Sequence, residues 1–344
     1  MTRKLTDLLN TIAQDNEILK SQTLGNLSDL NAPELAQFQA AWSNYPPARR
    51  RELLTALFDS AEDHVEHDFR TIFMWTLEDV DPIIRALSLE GLWEDERPQL
   101  ISRLKVMLQQ DENEDVRAAA ALTLGRFVYI GETGALDSDD AEEVRQALWD
   151  SFHAPTEILH VRRRALEGIA ASGEPGVTRL IENALYDQTM RVSAIYAMGR
   201  NADQRWIPFL LPELNNPDAE VRLEAVRALG ELEARPAVSR IIQLIAVETD
   251  SEVRLAALAA LGEIGGDEAR KALEAATEWD DGTVVVAAES ALEELTQSDG
   301  SAYDLINEVL GIETDDLETD DAFYEDPLEA EIRQLLEEKD DWLD

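Results

Sequence analysis

A thirteen-residue pattern recurs along most of this chain at intervals close to 31 residues, and a repeat of that length leaves few architectures open. It reads as an acidic or polar residue, two variable residues, an apolar residue, Arg, two more, a small residue, then Leu-like positions and Gly. The clearest copies run from Asp218 to Gly230 and from Asp250 to Gly262. Asp187 to Gly199 and Asn113 to Gly125 are two more, and Asp81 to Trp93 and Ile158 to Ala170 are looser. A last copy, Asp281 to Glu293, carries Val285 where the others have Arg. The aligned positions Arg85, Arg117, Arg162, Arg191, Arg222, Arg254 and Val285 lie 32, 45, 29, 31, 32 and 31 residues apart.

Each column has a physical reading. The residue before the Arg is always apolar (Ile84, Val116, Val161, Met190, Val221, Val253, Val284). The third after it is always small (Ser88, Ala120, Ala165, Ala194, Ala225, Ala257, Ala288), and the seventh is Leu92, Leu124, Ile169, Met198, Leu229, Leu261 or Leu292. Spacings of four and eight put these side chains on one helical face, and the small residue lets a neighbouring backbone come close. The leading Asp stands where an N-cap belongs, and Pro82 occupies the favoured first helical position. Gly125, Gly199, Gly230 and Gly262 are expected to end their helices as left-handed C-caps. Second helices are expected at 98–109, 142–152, 176–186, 206–214, 237–247 and 268–278. One helix pair cannot bury both its faces, so the pairs must stack. The fold class is all-α, an α-solenoid wound as a right-handed superhelix.

The Asp-x-x-Val-Arg-x-x-Ala-x-x-x-Leu-Gly core resembles the short HEAT-like repeats first recognised in phycobilin lyase subunits, over roughly residues 70 to 296. The Thr-Pro-Leu-His of ankyrin repeats and the Trp-Leu-Gly-Tyr pattern of tetratricopeptide repeats do not occur. The resemblance implies that the repeated Asp and Arg bond between adjacent repeats, which makes Arg85, Arg117, Arg162, Arg191, Arg222 and Arg254 structural. It specifies a fold more than an activity, because such repeats serve many scaffolds.

Three regions depart from the pattern. Residues 1–70 read as an N-terminal helical cap, with helices at 4–19, 33–42 and 47–61. The solenoid then occupies 71–296, and its long interval holds an insertion of about 13 residues near 126–140. That insertion is expected either to project as a loop on a binding face or to lengthen a helix, with the quartet Phe127-Val128-Tyr129-Ile130 packed inside. Residues 297–344 form an acidic tail, in which Arg333 and Lys339 are the only basic residues. Short amphipathic segments at 303–312 and 328–336 interrupt it, the first expected to cap the array and the second a candidate docking helix, and the tail's candidate contacts are Leu335 and, in the terminal stretch, Trp342.

Charge narrows the partners. Seventy-two acidic residues against thirty basic ones give a net charge of −42, which repels nucleic acid and anionic membranes and favours a protein partner with a basic surface. Solubility, or adaptation to high salt in a chain with few lysines, accounts for the same number equally well. The first twenty residues hold no apolar core of a secretory signal, and no apolar run approaches the roughly 18 residues of a membrane span, so a cytoplasmic location is expected. Cysteine is absent.

Chemistry is hard to find. His64 and His67, with Asp63, Glu66 and Asp68 nearby, supply at most part of a metal site, and no His-Glu dipeptide of the HEAT-like hydroxylases occurs. Asp137 to Glu143 lacks the Gly of a calcium loop and reads as helix capping. No catalytic residue, metal or cofactor is expected. If the motif-bearing helices line a concave face, their outward positions form the candidate partner surface: Glu90, Glu94, Arg126, Arg164, Tyr196, Arg200, Glu224, Arg227, Glu231 and Glu263. The expected function is a non-catalytic interaction scaffold or assembly factor, acting alone or within a larger complex. The alternatives are a subunit of a bilin-lyase-like enzyme acting on a chromophore-bearing protein, and an acidic mimic of nucleic acid.

Overall fold

The computed structural model describes residues 2–14, 19 and 21–310. Leu335 and Trp342, with the second tail segment, lie outside the described residues. The chain divides into two units, Met1–Leu295 and Thr296–Asp344. In order, the helices are α1 (Thr2–Ile12), α2 (Ser21–Leu24), α3 (Ala32–Trp42), α4 (Pro47–Asp63), α5 (Arg70–Thr76), α6 (Pro82–Glu90), α7 (Gln99–Gln110), α8 (Glu114–Glu132) and α9 (Ser138–His153). There follow α10 (Leu159–Ile169), α11 (Pro175–Leu185), α12 (Arg191–Arg200), α13 (Ile207–Leu210), α14 (Ala219–Glu231), α15 (Val238–Val247), α16 (Ser251–Ile264), α17 (Asp267–Ala276) and α18 (Gly282–Leu310).

The first unit is an all-α solenoid of helix pairs in two layers. The motif-bearing helices α4, α6, α8, α10, α12, α14 and α16 pack in series, each on the next but one in the chain. The intervening helices, α7 and α9 or α15 and α17, pack on each other behind them. Every residue in the apolar column before the Arg is buried, as is every Ser or Ala in the small column, so the repeat columns build one continuous core. Asp81, Asn113, Asp218 and Asp250 cap their helices as the pattern predicts, each accepting from first-turn amides.

The glycines act differently from the expectation. Gly125, Gly199, Gly230 and Gly262 lie inside their helices with helical backbone, and the left-handed positions fall later, at Ala202 (φ 56°), Glu233 (φ 47°) and Gly265 (φ 68°). What these glycines supply is proximity. A methyl group on Gly125 would sit 2.7 Å from Gly168 Cα, and one on Gly262 would sit 2.8 Å from the Ala291 carbonyl oxygen. Side chains there would push adjacent motif helices apart.

The arginine column clamps the stack, but among the described residues only Arg254 meets the next copy's capping aspartate, Asp281 at 3.9 Å, and the other arginines find different partners. Arg85 donates to both oxygens of Asp111 (2.8 and 2.7 Å), and Arg117 to both of Glu157 (3.0 and 2.8 Å). Arg222 does the same with Glu248 (2.7 and 2.8 Å), and Arg191 pairs with Glu213. Each of these carboxylates sits in or beside the turn leading into the next repeat's motif helix. The same guanidinium reaches back to its own entry turn, Arg85 to Asp79 O, Arg117 to Asp111 O, Arg222 to Asn216 O and Arg254 to Glu248 O. Asp111 and Glu248 therefore take one arginine on the side chain and the next on the main chain. Arg162 departs from the rule: it donates to Phe152 O at 2.8 Å and lies over the Phe152 ring.

The ladder begins earlier than the repeat is visible. Arg50 on α4 pairs with Asp79 at 3.2 Å and Arg51 with Asp81 at 2.7 Å. Arg49 is buried and donates to the carbonyls of Ile12 and Gln14. Two-thirds of this triplet thus joins the cap region to the first clear repeat. The insertion lengthens α8 instead of projecting as a loop, and its chain turns at Gly134 (φ 75°).

Arg222's hydrogen bonds, helped by the amides of Asp250 and Thr249, hold the Glu248 carboxyl down at about 2 against the opposing effect of burial. A carboxyl with a depressed folded value contributes stability above its ordinary value near 4.5 that is lost as pH falls toward 2. The contribution is on the order of 3 kcal/mol. Arg222→Met should therefore destabilise strongly at pH 7, and denaturant unfolding should show the gap from wild type closing as pH falls from about 4.5 to about 2. A gap that stays constant across that window would mean the pair does not carry the stability.

Candidate interaction groove

The outward face of the motif helices is not uniform. Between α4 and α12 it sinks into a groove of about 690 Å³. Its apolar part is made by Phe58, Leu89, Trp93, Leu122, Tyr129 and Tyr196, and its charged part includes Glu62, Glu90, Glu167, Arg126 and Arg200. Trp93, Tyr129 and Leu122 are 52%, 50% and 39% exposed, a concentration of wetted apolar surface on an otherwise highly charged protein. A second hollow of about 580 Å³ adjoins it and shares Phe58, Glu62 and Trp93.

Local irregularities make this groove. α6 ends at Glu90, so Trp93 falls in the following turn and is thrown outward, in the column where four of the other six copies carry Gly. Gly91 is required there, because a methyl group on it would overlap the Phe73 ring at 2.6 Å. The insertion extends α8 past the point where its neighbours stop. Phe127, Val128 and Ile130 pack inside as expected, but Tyr129 turns out into the groove. The Gly125–Gly168 contact lets α8 and α10 approach closely along the floor.

Of the candidate residues, Glu90, Arg126, Tyr196 and Arg200 line the groove, and Glu94 lines the adjoining hollow. Arg227, Glu231 and Glu263 border a separate hollow of about 570 Å³ over α14 and α16, floored by alanines. Arg164 and Glu224 are engaged in pairs along their own helices, with Glu167 (2.6 Å) and Arg227 (2.9 Å). The column is therefore one face but not one site. Phe58, Glu62, Trp93, Leu122 and Tyr129 were not singled out in the sequence as partner contacts.

Loss of surrounding water raises the carboxyls of Glu90, Glu224, Glu231 and Glu263 above their ordinary range. For Glu263 the neighbouring Glu294 and Glu231 add to the effect. Glu90, Glu231 and Glu263 are nonetheless exposed as whole residues. Burial likewise raises the Tyr196 phenol.

His64 and His67 do not share a helix. α4 stops at Asp63, and His64 and His67 lie in the turn beyond it with rings 4.9 Å apart. His67 Nδ1 is 2.8 Å from Ser60 Oγ. Among the described residues there is no group of three or more His, Cys, Asp or Glu placed to hold a metal ion. Asp137 caps α9, as its sequence suggested. No described helix is long and apolar enough to cross a membrane.

A stack of such helix pairs, clamped by arginines at one end of each motif helix, defines a helical-repeat protein. The chain belongs to the HEAT-repeat family: the family model for HEAT repeats matches residues 71–158 and 207–293, just over half of the chain. Among solved structures, human deoxyhypusine hydroxylase in complex with glycerol is 20% identical, with 86% of this chain and 96% of that one covered and a TM-score of 0.36. The complex of CpcE and CpcF of phycocyanin lyase from Nostoc sp. PCC7120 is 16% identical, with 66% and 94% covered and a TM-score of 0.43. The comparison with curated proteins gave no match.

A carboxyl whose folded value is raised costs stability once it ionises, so stability rises as pH falls through that value. Glu263→Gln should therefore melt slightly higher than wild type at pH 7, with the difference vanishing in mild acid. Thermal melts at the two pH values check this, and a lower melting temperature at pH 7 would contradict it.

Proposed function

We propose that this chain is a non-catalytic cytoplasmic scaffold that binds a partner protein along the outward face of its motif helices, by itself or as one component of a larger complex. The observation that carries this reading is the groove between α4 and α12, where wetted aromatic side chains gather on a surface that is otherwise charged. Buried aromatics surrounded by polar groups are what protein interfaces use as anchors. The groove is also wide and shared among several helices, as an extended partner segment requires. A rigid floor supports it: from α4 to α10 each lining helix is tied to the next by an arginine pair or a close backbone contact, and α12 is tied to α10 by the Ser193–Glu167 hydrogen bond.

The test compares three baits in native lysate at moderate salt: wild type, Trp93→Ala/Tyr129→Ala, and Val106→Ala/Tyr186→Ala. The last pair is also exposed but lies outside the groove. The expected result is one partner retained by wild type and by the control, and weakened about tenfold or more by the groove variant. Equal retention by the groove variant would move the binding surface elsewhere.

A further inference from the structure

The two hollows meet at Trp93, and the charges around that junction are unbalanced. Glu62 borders both hollows, Glu90 the first and Glu94 the second. None of the three has a cationic partner among the described residues. The arginines bordering the trough are already engaged: Arg126 with Glu96, Arg200 with Glu231 (3.9 Å) and Arg70 with Asp68. An exposed indole thus stands among three uncompensated carboxylates.

From this arrangement we propose that the trough binds an extended segment of a partner protein that presents an arginine or lysine beside an apolar residue. The cationic group sits on the Trp93 ring among Glu62, Glu90 and Glu94, and the apolar neighbour covers Leu122 and Tyr129. This deepens the scaffold reading above and rests on it.

Three physical arguments support that occupant over others. An indole is the best aromatic acceptor for a cation, and adjacent carboxylates that a docked chain would further desolvate strengthen the attraction. The protein uses the same chemistry internally, where the Arg162 guanidinium lies 5.2 Å from the Phe152 ring centre. A cation beside Glu90 offsets the loss of water that raises its carboxyl. Leu122 and Tyr129, farther along the first hollow, need an apolar group to cover them, which a free polyamine does not offer. The trough holds far more than one side chain, so a run of residues fits it better than a small molecule.

The test uses the full chain and short fluorescein-labelled peptides with a central Leu-Arg-Leu, read by fluorescence anisotropy at near-physiological salt. A matched peptide carries citrulline, the neutral isostere, in place of arginine. The expected result is that the arginine peptide binds about tenfold tighter than the citrulline peptide. Trp93→Leu, which keeps apolar area but removes the ring, should erase most of that preference, and so should Glu62→Gln/Glu90→Gln/Glu94→Gln. Glu252→Gln/Glu274→Gln/Glu278→Gln removes the same charge elsewhere and should leave it intact. Melting curves of each variant confirm folding. Equal loss in both triple variants would overturn the proposal in favour of diffuse attraction to an acidic protein. Equal binding of the two peptides, sensitive to Trp93, would overturn the cation assignment while leaving the groove a docking surface. Binding of neither peptide would also sink the cation assignment, and the bait comparison would then decide the scaffold reading alone.

Discussion

Successive helix pairs of this protein are held in register by arginines, of which Arg85, Arg117, Arg222 and Arg254 each grip two turns at once. The turn residue that receives one guanidinium on its carboxylate offers its carbonyl to the next, as Asp79, Asp111 and Glu248 do. The link is a chain of charge-assisted bonds running along the stack. Between motif helices the remaining contact surface is largely alanine and glycine, which packs closely but carries little shape to stop sliding. Bidentate geometry supplies what that smooth surface lacks. Such pairs are poor sources of net stability compared with apolar packing, and their value is in fixing one arrangement.

That fixed arrangement matters because the groove belongs to no single repeat. Its walls come from α4, α6, α8, α10 and α12, and a shift of one helix would separate Trp93 from Tyr129 and Glu167. The groove appears where the repeat is least regular. α6 is cut short, the glycine of its motif is replaced by Trp93, and the insertion carries Tyr129 past the usual helix end. Regular repeats build the scaffold, and departures from the repeat build the site on it.

The columns that face the core were legible because burial imposes one demand on all copies. Apolar and small residues had to recur, and they are buried where the pattern put them. The glycine column was misread, because a glycine near a helix end suits a C-cap and a close helix crossing alike, and only the neighbouring backbone decides between them. The arginine partners were missed although Asp79, Asp111 and Glu248 each stand six residues before the next arginine of the column; Glu157 and Glu213 stand five and nine before theirs, which blurs the period. Arg50 escaped because buried Arg49 and bulky Leu53 occupy the apolar and small positions of its copy. Trp93 and Tyr129 could have been flagged, one as a Trp in a glycine column and the other within the insertion. Their exposure still depended on where two helices stop.

The account ties groove geometry to the arginine ladder, and native-state hydrogen exchange of Arg117→Met tests that link most directly. Arg117 ties α8, which carries Tyr129, both to its own entry turn at Asp111 and to Glu157 in the turn leading into α10, which carries Glu167. The account predicts faster exchange in α6, α8 and α10 together, with α14 and α16 unchanged. Faster exchange confined to the first turn of α8 would contradict it, and would show that apolar packing alone holds the groove in place.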